Sequence, residues 1–371
     1  MAEKIKFFHL NKWLLGTLTY STQHENFPAA NTQNRDFGRM WNSQHGAGSG
    51  WGRFVIKSGV NDRLDFKDST STVRAASLTP ATYNAASIFA HLKTQMEAVC
   101  SDTFTWAYLE SGTDKNKFKV TIGSGTFELL TNTGANKARS VFPTIGFSDA
   151  ADKTGASSYT ADYVRIHTEE FLVEDFGSAI DIYGVFIKGH NFSSTAVVKV
   201  EFSTNNFSSI SESFTFTIQA GVLVLEWDAA KTYRYIRIYI QDIDNPAGYV
   251  AMGVVSAAPQ LQPSENFLNE GEIDRIDPSE LQVSAHGQES SIQIEHYDVW
   301  PYTFLVKGST EKANFDALFD NVGYSKAFFI VEDPASPLTT TKYVAISSFK
   351  WTPRVRARNL WYLSMSIREQ R

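Results

Sequence analysis

One cysteine, Cys100, stands in 371 residues, so no disulfide, thiolate zinc centre or dithiol redox pair forms within a single chain. That usage fits a chain that folds in a reducing cytosol. Basic residues are not in excess: 34 Lys and Arg face 40 Asp and Glu, for a net charge of −6, and they are scattered. Direct nucleic-acid recognition needs a clustered basic footprint and is not expected. No apolar run approaches the roughly 18 residues that span a bilayer, so no membrane insertion is expected. In the opening "MAEKIKFFHLNKWLLGTL" the apolar residues are interrupted by His9, Asn11 and Lys12, which spoils a signal-peptide core. The expectation is a soluble chain without an export signal.

The familiar catalytic motifs are missing as well. No Gly-x-Ser-x-Gly elbow and no His-Glu-x-x-His occurs, so neither a serine hydrolase nor a zincin is signalled. The stretch "HGAGSGWG" (45–52) has four glycines but runs on into "RFVIKS", a strand pattern, where a phosphate loop needs Gly-Lys-Ser/Thr opening a helix. It reads as a surface loop.

Aromatics, by contrast, are plentiful: 27 Phe and 15 Tyr in a chain that is 42% hydrophobic, a composition for strands and a real core. In "AVVKVEF" Val198, Val200 and Phe202 share one face; in "SFTFTI" Phe214, Phe216 and Ile218 do; in "YRYIRIYI" Ile236, Ile238 and Ile240 oppose Tyr235, Arg237 and Tyr239. Such short strands with frequent turns across 165–260 predict a β-sandwich. Residues 56–164 break the pattern. A helix starting at Thr79-Pro80 carries Ile88, Leu92, Met96 and Val99 at helical spacing, and short strands follow at 103–109, 117–123 and 127–131. After a polar, turn-rich connector, residues 261–371 give strands and a helix with Phe315, Leu318, Phe319 and Val322 on one face, stopped at Gly323.

A few polar residues invite a chemical reading. Glu169-Glu170, Glu174-Asp175 and Asp242 with Asp244 are paired acids, but neighbours on a strand point to opposite faces, and a glycosidase needs two carboxylates converging across a cleft. They read as solvated sheet edges and turns, with a calcium site at Asp242 and Asp244 as the alternative. His296 and Asp298 share a strand face without a nucleophile. Cys100 ends a helix stripe and reads as packing. No catalytic constellation, cofactor site or metal site is expected.

Two groups of segments resemble known proteins. "NDRLDF" (61–66), "LTPATYNAASIFAHLKTQM" (78–96), "KFKVTIGSGTFELLTNTGANKARSVFPTIGF" (117–147) and "DKTGASSYTAD" (152–162) resemble a module of tailed-bacteriophage tail and baseplate proteins, at the Tyr83 turn, the Gly134 helix start and Gly146-Phe147. "VEDFGSAIDIYGVFIKGHNFSSTAVVKVEFS" (173–203) and "YRYIRIYIQDIDNPAGYVAMGVVS" (233–256) resemble the discoidin-like, or galactose-binding-like, jelly roll of such proteins, and "NTQNRDFGRMWNSQ" (31–44) looks like its early part. Residues 270–371 resemble, more loosely, the C-terminal domains of distal-tail adaptors.

The resemblance implies a mainly β fold: a galactose-binding-like sandwich from 1–55 plus 165–260, an inserted α+β module at 56–164, and a C-terminal α+β or β-barrel-like domain at 261–371. It implies a virion tail-tip or baseplate protein, made in the host cytoplasm. Such a chain forms a cyclic homo-oligomeric ring that contacts tail tube, hub, tape measure and fibres. The alternative is a host-glycan-binding protein using Trp41, Trp51 and Tyr249; a polysaccharide-degrading enzyme ranks last. In the jelly-roll pattern His190 and Asn191 sit at a strand-to-loop corner, bonding local backbone rather than ligand.

Overall fold

The computed structural model describes residues 4–23, 26–36, 38–43, 53–109, 112–114, 116–165, 169–242, 245, 247, 249–268, 273–277, 280–283, 289–292, 296–354 and 359–370. It is mainly β.

Two long strands, Glu170–His190 and Val222–Gln241, pair antiparallel along most of their length. Their register shifts between Asp175 and Ile180 and again between Ile182 and Gly184, and these irregularities divide each strand into two halves. One half builds the outer layer: 170–175 lies between Thr17–Tyr20 and 235–240, followed by Val197–Ser203 and Glu212–Thr215. The other builds the inner layer: 184–190 lies between 222–226 and Ala251–Ala258, with Trp41–Asn42 at the edge. Strands that bend at bulges pass from one layer of a sandwich to the other. Leu172, Val198, Phe202 and Ile238 of the outer layer and Val185, Ile187, Leu223 and Val255 of the inner one meet in a single buried cluster with Trp13 and Trp41. This is the β-sandwich that the alternating runs predict, in the jelly-roll-like form that the resemblance implies.

A second core holds only residues from Phe54 to Ala161. Its helix, Ala85–Glu97, buries Ile88, Leu92 and Met96 as the spacing predicts, but it starts later than Thr79-Pro80 suggested. Ala81–Tyr83 pairs with Phe54–Ile56 instead, and Asn84 caps the helix by a reciprocal pair of bonds with Ser87, 2.8 and 3.0 Å. Two small sheets complete the unit, of four and three strands. The turn Phe142–Ile145 ends at Gly146, whose φ of 87° and close approach to the Tyr163 carbonyl leave no room for a side chain.

The third core lies under a six-stranded sheet with the helix Ser309–Val322 against it, burying Phe315, Leu318 and Val322. Gly323 caps the helix, its N–H donating to Phe319 O at 2.7 Å. Among the described residues this sheet does not close into the expected barrel: it runs from an edge at Lys6–Phe8 to an edge at Asp274–Ile276. Lys6–Phe8 was expected in the sandwich, yet it pairs with Phe328–Val331. Strand alternation explains the choice. Phe7 enters the third core against Phe304 and Phe315, while Phe8 points the other way onto Phe186 of the sandwich.

Phe8 belongs to a fourth cluster, with Phe186, Val224, Val254 and Ala258 from the inner layer, Phe329, Val331 and Tyr343 from the six-stranded sheet, and Ala327 just ahead of it. Phe186 and Phe329 stack with centroids 4.8 Å apart and planes 9° from parallel. The inner layer is thus covered on both faces, and all eight residues of Ala251–Ala258 are buried.

Candidate functional site

The corner that follows Gly189 is the most densely bonded polar feature of the sandwich. Gly189 takes a φ of 71° one residue before the strand ends at His190. His190 then accepts from Phe192 N at Nδ1 (3.3 Å), which leaves Nε2 to donate to Gln219 O (3.1 Å), and its ring stacks on Phe192 at 4.8 Å. Burial lowers its pKa, so the ring is a neutral strut. Asn191 donates to Tyr249 O (2.9 Å) and accepts from Ala251 N (2.7 Å). Asp242 accepts from Ser193 N (3.0 Å), from the Ser193 hydroxyl and from Asn245 Nδ2 (2.8 Å). Asn245 Nδ2 also reaches Asn191 O at 3.0 Å. The network fastens 190–193 to Gln219, Asp242, Asn245, Tyr249 and Ala251: the partners of His190 and Asn191 are largely backbone groups, as expected, but most come from distant segments rather than from the local turn. Asp244 lies outside the described residues, and among them no group of three His, Cys, Asp or Glu could hold a metal ion.

The aromatic platform expected of a glycan site is not assembled from the residues named for it. Trp41 is fully buried in the sandwich core and its indole donates to Thr22 O at 3.1 Å. An edge strand two residues long turned its ring inward, where the two layers close. Tyr249 is half-buried at the corner, and Trp51 and the loop 45–52 lie outside the described residues.

The acid pairs split by face as the strand pleat dictates, but the expectation of solvated edges fails for two of them. Glu169 is tied to Lys57 at 3.0 Å, to Arg53 at 3.9 Å and to the Tyr239 hydroxyl at 2.5 Å. Asp175 takes a two-pronged bond from Arg234, 2.8 Å on each arm. Glu170 and Glu174, with Leu172 between them, face inward and are fully buried. The N-terminal segment covers them: Ser21 and Thr22 donate to Glu170, and Gln33 Nε2 donates to both oxygens of Glu174 at 3.0 and 3.2 Å. Gly16 lies so close that any side chain would overlap the Glu174 carboxyl. Burial pushes Glu170 up to about 7 and Glu174 up to about 8, outweighing the hydrogen bonds that pull the other way. The signal was the i, i+2, i+4 run Glu170, Leu172, Glu174, read against a prior that places carboxylates outside.

The other candidates are structural. Asp298 pairs with Arg275 directly across the strand pair, at 2.9 Å, and His296 is exposed. Cys100 packs half-buried against the second core, its thiol donating to Met96 O at 3.3 Å, and burial raises its pKa.

No protein-family model matches the chain, and no curated protein does. Among solved structures, chitosan-binding module 1 of a chitosanase/glucanase from Paenibacillus sp. IK-5 is 9% identical, with a TM-score of 0.29, over 68% of this chain and 100% of that one. The family 32 carbohydrate-binding module of C. perfringens NanJ, solved with galactose, is 8% identical, with a TM-score of 0.29, over 68% of this chain and 99% of that one. A Streptococcus pneumoniae fucose-binding module is 13% identical, with a TM-score of 0.20, over 24% and 62%. Likeness this distant transfers neither a ligand nor a residue's role.

Proposed function

We propose that the chain is a non-catalytic structural component of a phage tail tip or baseplate, an adaptor that joins the tail tube to hub or fibres as one copy in a cyclic ring. The observation that supports this is the apolar seam between sandwich and C-terminal sheet, with Phe8, Phe186 and Phe329 at its centre. Small polar interfaces between units permit relative motion, whereas a large apolar one holds them as one body. Parts that carry force between neighbours need the second kind. The acids with the best claim to chemistry are already engaged in holding strands and loops together. The sequence resemblance to tail proteins supplies the setting, with virion neighbours and closed symmetry as the usual solution for repeated copies. Reconstruction of a particle carrying the protein tests it: a closed ring of copies at the tail tip is expected, and one isolated, outward-projecting copy overturns the reading.

A second reading, recognition of a host-surface glycan, is favoured by one feature. Tyr249 stands partly open beside polar groups that Asn191, Asp242 and Asn245 hold in fixed positions. Glycan-array binding by the isolated chain, lost in Tyr249→Ala, supports it; an array without signal removes it.

A further inference from the structure

Where the N-terminal segment meets the end of the C-terminal helix, a cavity of about 250 Å³ is lined by Leu10, Leu14, Leu15, Lys12, Arg35 and Lys326, with Asn11 and Asn321. Three of the lining side chains are cationic and none is a carboxylate. Among the described residues no carboxylate lies within ion-pair distance of Lys12, Arg35 or Lys326. Several other half-buried cations have a carboxylate: Arg53 and Arg237 each have a glutamate, and buried Lys6 has Glu226 at 2.8 Å. Arg35 has instead one bond from Nη1 to the Ala327 carbonyl. A half-buried cation such as Arg35 without a counter-charge is costly, and Lys12 and the exposed Lys326, whose ammonium donates to Asn321 O at 3.0 Å, add like charge beside it.

We propose that this cavity is a binding site for a small oxyanion, a phosphate or carboxylate group, held by Arg35 with Lys12 and Lys326 at the rim. The planar guanidinium presents paired N–H donors that match either group. Lys12 and Arg35 come from the N-terminal segment and Lys326 from beyond the helix Ser309–Val322, so the anion would staple two parts of the chain together. This goes beyond the structural reading and does not depend on it.

His9 gives an internal reporter. It is 6% exposed, its Nδ1 has no partner, and its pKa is down at about 4, first through burial and then through the charge on Arg35. An anion on Arg35 offsets that repulsion, so the ring should titrate higher.

The experiment is calorimetric titration of the full chain with sodium phosphate and, separately, with sodium acetate, in chloride buffer at fixed ionic strength. The Lys12→Gln/Lys326→Gln double variant is run beside it, and Arg35→Gln if it folds. Saturable single-site binding of at least one anion is expected, weakened tenfold or more in the double variant, with the His9 titration moved upward by the bound anion. The tighter probe tells whether phosphate or carboxylate is the natural group. Heats no different from a chloride control for both anions, or equal affinity in the double variant, would overturn the proposal.

Discussion

The sandwich meets its two neighbours in opposite ways. Against the C-terminal sheet it presents a dry face, Phe186, Val224, Val254 and Ala258, filled by Phe8, Phe329, Val331 and Tyr343. Around the α+β unit the contacts are polar: Arg53 and Lys57 reach Glu169, Arg53 lies over the Phe171 ring at 5.3 Å, and no sandwich residue enters that unit's core. Apolar area removed from water contributes about 25 cal/mol per Å², whereas an exposed ion pair such as that of Lys57 contributes about 0 to 1 kcal/mol, and the more buried Arg53–Glu169 contact is the longer one at 3.9 Å. The difference predicts that sandwich and C-terminal sheet unfold as one cooperative body, to which the α+β unit is appended. The N-terminal strand, crossing from one to the other, makes that body continuous.

The largest expected effect separates the seams by pH. Glu170 lies beside Glu169 at the polar end of the long strand, and Glu174 lies four residues further along the same face; both keep their protons in the folded state at pH values where the unfolded chain has released them. Their folded pKa values are raised, so their contribution is fully present below about 4.5 and is lost as pH rises through about 7 and 8. Stability should fall with a slope of about 1.4 kcal/mol per pH unit for each proton involved. Denaturant titrations from pH 5 to 8 check this, and Glu170→Gln/Glu174→Gln should flatten the slope. A slope that persists in the double variant would place the pH sensitivity elsewhere, the dry seam included.

Next in size, Phe329→Ala removes the ring stacked on Phe186 and should cost about 3 to 5 kcal/mol, the usual range for a buried aromatic truncation. If the seam makes one body, thermal melting followed by probes in the sandwich and in the C-terminal sheet should shift together. Separate shifts would break the comparison. His190→Ala should cost about 1 kcal/mol, since the ring bonds the Gln219 carbonyl, and Gln219 in turn donates to Leu338 O across the seam at 3.0 Å. Lys57→Ala should change stability by less than about 1 kcal/mol, because Lys57 is 52% exposed. A drop as large as that of Phe329→Ala would mean the polar contacts hold more than their exposure allows.

Much of this was legible locally and little of it was legible at long range. Alternation at 198–202 and 236–240 named the buried faces correctly, and the helical stripe Ile88, Leu92, Met96 named the helix. The start of that helix was missed because a strand pairing between 54–56 and 81–83 overrode the proline signal. Nothing in "KIKFF" shows that Lys6–Phe8 will pair with Phe328–Val331, since that choice depends on a partner more than three hundred residues away. The layer switch of the long strands hides in their register, not their composition. At the candidate corner, turn chemistry named backbone groups as partners of His190 and Asn191 but not that most lie 29 to 60 residues away, which only the packing of distant strands decides. Trp41 was misread because a tryptophan in a polar stretch carries no mark of which way it faces, and Glu170 and Glu174 because buried acids are rare.

The most direct test is calorimetry of a chain in which residues 56–164 are replaced by a short flexible linker, compared with the full chain. The account predicts that the shortened protein is soluble and melts in one transition within a few degrees of the main transition of the full chain. Loss of that transition, or insolubility at every boundary tried, would contradict the claim that the α+β unit is appended to a body that stands without it.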